Sequence, residues 1–305
     1  MSTTNTPTTL LPPPQSDIDF ASLPWNLNVP DQHKYIHITT TTDWSDEQAF
    51  LEQLEDNNNS AIYDYGTQKL QLTPATTSLN YGTSLWEGLK CYRRRKNNNN
   101  NDTCAVVFRA DQNYKRMKNG ALELGMPMPS RKLFLRAIQI AIQQNAHLIP
   151  PPIEGTKLYV RPMLLGTGQQ LGLYPSPQFS FVVYVSPTGN YFSTATSGLK
   201  LHLETKRCRA AMGGMGAVKC SGNYAAALKP LLDCKQLGFA DNIYLELETL
   251  HYNNNNDIEQ ALLQELSAAN IFVVLETGEI CTPSLERGTI LPGVTRQSIL
   301  DLINE

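Results

Sequence analysis

One lysine stands out in this sequence because small residues surround it. Lys219 lies in MGGMGAVKCSGNYAAA, residues 212–227, where three glycines precede it and no acidic residue is present. Burial among such residues lowers the pKa of an ammonium, and the neutral amine is the nucleophile that Schiff-base chemistry requires. The segment therefore indicates covalent lysine chemistry, although composition alone favours an exposed lysine on a glycine-rich loop. It is not a G-x-x-x-x-G-K-[ST] phosphate loop, because Cys220 follows the lysine.

An arginine in a strand-like run is the second candidate. In KLYVRPMLLG, residues 157–166, strand alternation puts Tyr159 and Arg161 on one face. Met163 and Leu165 point the same way, so burying the arginine there without a partner would be expensive. The pattern indicates a carboxylate partner.

Strands mixed with a few helices must position these residues. Helices are predicted from 112 to about 124, with Asp111 as N-cap, from about 130 to 145, and from about 223 to 237 with a kink at Pro230. β-rich composition predicts strands at 85–92, 105–109, 157–165, 179–186, 199–204, 242–247 and 271–275. This mixture is typical of an α+β architecture.

The length of 305 residues predicts two compact units, and Pro, Thr, Gly and Asn at 187–190 suggest the boundary. We expect a disordered tail and two domains joined by a linker: tail 1–16, small N-terminal α/β domain 17–187, linker 188–198, and large C-terminal domain 199–305. Asparagine tracts at 57–59, 97–101 and 253–256 are predicted to be loop expansions, and the second and third to be hairpin tips.

Composition excludes several classes of function. A formal charge of -3 provides no basic surface for nucleic acid, and the six cysteines and five histidines show no metal-ligand spacing. No run of eighteen apolar residues could span a bilayer. The first 33 residues hold no Lys or Arg, which argues against secretory and mitochondrial leaders, so a cytoplasmic protein with reduced cysteines is expected.

Several segments together resemble one family. AVKCSGNYAAALKP is similar to the lysine segment of branched-chain amino acid aminotransferases, which are class IV enzymes that depend on pyridoxal 5'-phosphate. The resemblance continues, in order, in LNYGTSLWEGLKCY, VFRADQNYKRM, KLYVRPMLLGTG, ELSAANIFVV and GTILPGVTRQS. It implies the two-domain fold type IV that D-amino acid aminotransferase shares.

The resemblance assigns the cofactor contacts. Lys219 would carry the cofactor as a Schiff base and then move the proton between Cα and C4′, and Glu265 would face the pyridine nitrogen. Arg116 would clamp the phosphate with its guanidinium. On their own, Glu265 and Arg116 would pass as surface residues.

Further contacts follow from the same resemblance. The backbone amides of Thr289 and Ile290 would reach the phosphate, and Tyr224 would lie near the phenolic oxygen of the ring. Ala268 departs from the pattern, because the family usually has a hydroxyl at this position, so one hydrogen bond to the ring is expected to be missing.

Four residues are expected beside the substrate. Tyr159 and Arg161 would lie next to it, and Tyr81 and Trp86 would contact its side chain, with Tyr81 reaching into the site of a neighbouring subunit. Without the resemblance, Tyr81 and Trp86 would be interpreted as core aromatics.

The implied reaction moves an amino group between leucine, isoleucine or valine and 2-oxoglutarate, giving glutamate and a branched 2-oxo acid in a homodimeric enzyme. Preference among the three amino acids does not follow from the sequence. The family continues beyond GVTR with further elements and another phosphate loop, so the C-terminal domain is expected to be incomplete. A truncated, catalytically silent paralogue that acts as a dimerisation partner or remnant is the alternative.

Overall fold

A seven-stranded antiparallel sheet organises the first part of the chain. The structure is a computed structural model that describes residues 11–28, 33–56, 60–95, 103–191, 198–255 and 257–305. The strands of this sheet are β1 (Lys34–Thr40), β2 (Ile62–Asp64), β3 (Ser84–Trp86), β4 (Leu89–Arg95), β5 (Thr103–Val107), β6 (Lys157–Gly166) and β7 (Phe179–Thr188). Their order is β2-β1-β7-β6-β4-β5, and β3 also pairs with β6.

Helices cover one face of this sheet and form the main core with it. They are α1 (Glu47–Glu55), α2 (Thr77–Tyr81), α3 (Ala110–Glu123) and α4 (Arg131–Gln144). Leu158, Val160 and Leu164 of β6 are buried on the helix side with Phe134 of α4. The alternation of β6 leaves Tyr159, Arg161 and Met163 half-buried on the opposite face. A second hydrophobic cluster, which includes Met163, lies on that face, so Arg161 is a cation in largely apolar and aromatic surroundings.

The second part of the chain contains a smaller sheet. Its strands are β8 (Leu201–Glu204), β9 (Asp241–Tyr252) and β10 (Ile258–Leu266), and the other elements are α5 (Ser221–Gln236), β11 (Val273–Val274), β12 (Ile280–Cys281) and α6 (Val294–Ile303). β8 and β9 are parallel and α5 connects them, whereas β10 and β9 form an antiparallel hairpin. Across the described ranges, no helix is long and apolar enough to cross a membrane.

The α+β class is confirmed, and several boundaries change. The predicted strand 85–92 is split into β3 and β4 at Glu87 and Gly88. Only Val273–Val274 of the predicted strand 271–275 is regular. Asp111 is not the N-cap of α3: Arg109 occupies that position, and the Asp111 carboxylate pairs with Arg131 instead.

Four strands escaped prediction, namely β1, β2, β10 and β12. β10 has the sequence IEQALLQEL, which is rich in helix-forming residues, yet it pairs with β9. β1 pairs with β2 and β7 although polar residues interrupt its apolar pattern. α5 continues through Pro230.

The loop predictions divide between described and undescribed residues. The described residues 253–255 form a turn between the paired strands β9 and β10, which confirms the hairpin-tip prediction for the third tract. The tracts at 57–59 and 97–101, residue 256, and most of the tail at 1–16 lie outside the described residues. The linker predicted at 188–198 begins too early, because Thr188 pairs with Lys157 in β7, and its residues 192–197 are not described.

Asn145 fastens the end of α4 to the start of β1. Its side chain accepts a hydrogen bond from the Lys34 N–H (2.9 Å) and donates to the carbonyls of Lys34 (2.9 Å) and Ala141 (2.7 Å). Asn145→Ala is expected to lower the free energy of unfolding by about 2–3 kcal/mol, because these buried backbone groups lose their partner. Urea unfolding measures this. Gln144→Ala, at an exposed neighbouring position, is the control, and equal values for both variants would contradict the role of Asn145.

Candidate active site

Lys219 lies where the two parts of the chain meet, between two aromatic rings. Its Nζ donates a hydrogen bond to the Tyr224 hydroxyl (2.7 Å) and lies 3.8 Å from the centre of the Trp86 ring. Trp86 and Tyr224 also contact each other, with ring centres 4.6 Å apart. The structure therefore brings together three of the residues that the sequence predicted, around one amine.

The residues next to Lys219 aim its side chain. Val218 and Cys220 are buried in the core of the large sheet, so the lysine between them points away from that core. The Trp86 N–H donates to the Lys219 carbonyl (3.2 Å), which joins this segment to β3. Asn223, at the start of α5, donates to the carbonyls of Met215 (2.7 Å) and Val218 (2.8 Å) and closes the glycine-rich turn.

The Lys219 amine has an unusual proton affinity. Burial lowers its pKa to about 7, and the charges of Arg116, Arg161 and Arg209 act in the same direction, while the Glu87 carboxylate opposes them. Burial also raises the pKa of the Tyr224 hydroxyl, so that this group stays protonated. Close to neutral pH, the amine therefore exists partly in its neutral, nucleophilic form.

Glu265 is a buried carboxylate with three polar partners, not a surface residue. One oxygen lies 2.8 Å from Arg209 Nη1 and accepts from the Leu291 N–H (3.0 Å), and the other accepts from Asn270 Nδ2 (2.6 Å). Burial raises the pKa of Glu265, while the Arg209 charge and these hydrogen bonds lower it. The partners thus favour the ionised form inside the protein.

Arg116 is held by an acidic residue that the sequence did not point to. Its Nε (2.7 Å) and Nη2 (2.6 Å) donate to the two oxygens of Glu87, and its Nη1 donates to the Pro292 carbonyl (3.0 Å). The Glu87 side chain is completely buried, and Asn113 also donates to it (2.7 Å). Two of the five guanidinium N–H groups remain for a further acceptor. The phosphate-clamp role of Arg116 stays a prediction.

Arg161 and Tyr159 share one face of β6, as strand alternation predicted. Arg161 Nη2 donates to the Tyr159 hydroxyl (2.9 Å), and the guanidinium carbon lies 4.1 Å from the centre of the Trp86 ring. Arg161 Nε is buried and has no acceptor among the described residues. A buried donor without a partner is rare in proteins, so this atom indicates an acceptor supplied by a ligand.

Thr289 and Ile290 lie beside the Glu265 end of the site, and both are buried. The Thr289 hydroxyl donates to Glu246 (2.8 Å), and its carbonyl accepts from Arg209 Nη1 (3.3 Å). Tyr81 takes a different position: its hydroxyl bonds to the Leu171 carbonyl and its side chain is partly exposed. A contact of Tyr81 with a neighbouring subunit stays a prediction.

Sequence reasoning missed Glu87 and Arg209, which neutralise Arg116 and Glu265. The sequence could have indicated Glu87, because an acidic residue inside the strand-like run LWEGL requires a buried cation as its partner. Arg209 could not be found from the sequence, because it follows two other basic residues in KRCR and nothing distinguishes it from them.

The donor set fits pyridoxal phosphate. A near-neutral amine, a buried carboxylate, a protonated phenol and guanidinium groups with free donors match its aldehyde, pyridine nitrogen, phenolic oxygen and phosphate. The part of the chain that the structure describes holds no cluster of three metal-ligating side chains.

The comparisons with known proteins all indicate one group of enzymes. The family model "Amino-transferase class IV" matches residues 95–305. The chloroplastic branched-chain-amino-acid aminotransferase 3 of Arabidopsis thaliana is 42% identical over 233 residues, which are 76% of this chain and 52% of that protein. Branched-chain amino acid aminotransferase 1 of Humulus lupulus, a mitochondrial protein, is 39% identical over 81% of this chain and 59% of its own length. The chain thus spans little more than half the length of these curated relatives.

Solved structures agree on the fold. The branched-chain amino acid aminotransferase of Escherichia coli gives a TM-score of 0.63 at 23% identity, covering 81% of this chain and 71% of that chain. The T.th. branched-chain amino acid aminotransferase with pyridoxamine 5'-phosphate gives 0.64 at 25% identity, covering 81% and 72%. These likenesses support the predicted fold type IV.

Removing the Glu87 charge is expected to destabilise the fold. Glu87→Gln leaves the Arg116 guanidinium buried without an anion, which costs about 3–5 kcal/mol of the free energy of unfolding. Chemical denaturation measures the loss. Glu123→Gln on the exposed face of α3 is the control, and a loss below about 1 kcal/mol for Glu87→Gln would show that the pair contributes little.

The pKa of Lys219 can be measured directly. Reductive methylation with labelled formaldehyde, quantified on the Lys219 peptide at a series of pH values, is expected to reach half its maximal rate near pH 7. Arg161→Met removes a charge that lowers the pKa, so the midpoint should rise. A Lys219 midpoint of about 10.4, the usual value for a lysine, would contradict the assignment.

Proposed function

This chain belongs to the class IV aminotransferase family, and from that premise we propose that it transfers the amino group between branched-chain L-amino acids and 2-oxoglutarate. The observation that carries the proposal is Lys219, an amine with a pKa of about 7 held between Trp86 and Tyr224. The names of the relatives support leucine, isoleucine and valine as the substrate class.

Pyridoxal phosphate, when bound, supplies an electron sink for the electron pair left on the substrate Cα after proton removal. Arg116, Thr289 and Ile290 would hold its phosphate, and Lys219 would hold its carbonyl carbon. The two free N–H groups of the Arg116 guanidinium support this role, because its other donors are fixed by Glu87 and Pro292.

Lys219 would act as the base and acid at the substrate Cα. Its pKa near 7 lets the amine accept a proton and return it under the same conditions. The Tyr224 hydroxyl orients the Nζ lone pair through the 2.7 Å hydrogen bond, and the Trp86 ring covers the ammonium form.

Glu265 would accept the pyridine N–H as a carboxylate. The Arg209 guanidinium at 2.8 Å and the hydrogen bonds from Leu291 and Asn270 support ionisation despite burial. Because Arg209 also binds the Thr289 carbonyl, it connects the nitrogen end of the site with the segment proposed for the phosphate.

Arg161 would bind a substrate carboxylate. Its unpaired Nε, its position above Trp86 and its bond to the Tyr159 hydroxyl place a cation beside Lys219. Ion pairing with a ligand carboxylate would satisfy the buried donor.

Assembly, location and activity complete the proposal. A homodimer would give the partly exposed Tyr81 side chain a neighbouring subunit to contact. Cytoplasmic location stays a prediction, and relatives carry chloroplastic and mitochondrial names. The alternative, a catalytically silent partner, finds no support among the relatives, whose names are those of enzymes.

Two measurements on the purified full chain test the proposal. With pyridoxal phosphate, borohydride is expected to fix the cofactor on the Lys219 peptide, seen by mass spectrometry, and leucine with 2-oxoglutarate is expected to give glutamate. Lys219→Ala should lose the adduct and at least about 100-fold of the rate, because it loses both the anchor and the proton carrier.

Lys118→Ala, at an exposed lysine of α3, is the matched control and should retain both properties. Absence of a trapped adduct in the folded wild-type chain would overturn the cofactor role of Lys219. An adduct without glutamate formation would overturn the proposed reaction and retain the cofactor.

A further inference from the structure

A cavity lies at the edge of the large sheet, and none of the residues proposed for the reaction at Lys219 lines it. It has a volume of about 410 Å³ and lies between the end of β4 and the turn that leads into β6. Three prolines at 150–152, Ile153 and Tyr92 form an apolar wall, and Arg93 and Lys157 bring positive charge to it. Its volume falls in the range of small-molecule sites.

The two cations of this cavity are buried, each with a relative exposure of 7%. Arg93 donates to the carbonyls of Ala146 and Ile149, which follow α4, and to the Thr103 hydroxyl, and these acceptors partly compensate its charge. Lys157 donates to the Gly155 carbonyl alone (2.9 Å) among its recorded hydrogen bonds, and its Nζ lies 5.4 Å from the centre of the Trp25 ring. An ammonium has three donors, so Lys157 retains binding capacity.

Among the described residues, the two cations of this cavity have no acidic partner. Within the described residues, no ion pair includes Arg93 or Lys157. Glu154 also lines the cavity, but its side chain is exposed and makes no ion pair with either cation. Burial and the nearby Lys90 charge lower the pKa of Lys157. A buried cation without an anion is unfavourable, and a bound anion relieves that cost.

We propose that this cavity is a second binding site, separate from Lys219, for a small organic carboxylate with an apolar body. The carboxylate binds the Lys157 ammonium, and the apolar body packs against the prolines and Ile153. This inference does not rest on the proposed function.

The position of Lys157 connects the two sites. Lys157, Tyr159 and Arg161 share one face of β6. The Trp25 ring lies under the Lys157 ammonium and meets the Tyr159 ring edge-on at 5.3 Å. Lys157 and Tyr159 therefore contact the same Trp25 ring.

Calorimetric titration with sodium 3-methylbutanoate tests the site on the full chain. Arg161→Met removes the cation proposed for the substrate, so heat that remains in this variant reports a second site. Adding Lys157→Met is expected to weaken that binding by about 10-fold to 100-fold, the usual value of a charge-assisted hydrogen bond. Adding Lys118→Met, at an exposed lysine, should leave it unchanged.

A second variant guards against loss of folding. Ile153→Glu places a repelling charge on the cavity wall at a partly exposed position, and it should weaken binding while thermal unfolding stays near that of the parent. Equal binding with and without Lys157, or no heat in the folded Arg161→Met chain, overturns the site. Tighter binding of inorganic phosphate that depends equally on Lys157 overturns the choice of a carboxylate.

Discussion

The burial of charge at one junction is the constraint on which the rest of the structure depends. Lys219, Arg116, Arg209 and Arg161 lie within electrostatic reach of one another, and like charges in a low dielectric repel strongly. Two buried carboxylates make this arrangement compatible with folding, because Glu87 binds Arg116 and Glu265 binds Arg209. Among the described residues, no carboxylate forms an ion pair with Lys219. Burial and the neighbouring positive charges therefore lower the pKa of its amine.

The two parts of the chain contribute different charged residues to this junction. The first part of the chain supplies the Glu87 and Arg116 pair and the Arg161 face of β6, whereas the second part supplies Lys219, Arg209 and Glu265. A backbone hydrogen bond from Trp86 to Lys219 and the contact of Arg116 with Pro292 fasten the parts together at the site itself. The contacts that join the two parts of the chain are therefore also contacts that position the residues around the amine.

Local patterns predicted those features that local physics determines. Strand alternation placed Tyr159 and Arg161 on one face, and the small residues around Lys219 indicated its unusual environment. Similarity to a family placed Glu265 at the site, which spacing alone could not do. The pairing of Glu87 with Arg116 connects residues 29 positions apart. No local rule selects such a partner. β10 escaped prediction for a different reason, because its residues favour a helix although they pair with the preceding strand β9 in a hairpin.

The hairpin of β9 and β10 keeps the asparagine tract at 253–256 away from the site. Glu246 and Glu265 lie in the part of the hairpin near the site, and the asparagine tract lies beyond Tyr252 at the tip. Six residues of extended chain span about 20 Å, so added residues at the tip stay remote from both carboxylates. Mutation can therefore lengthen this tip over generations without selection on catalysis opposing it.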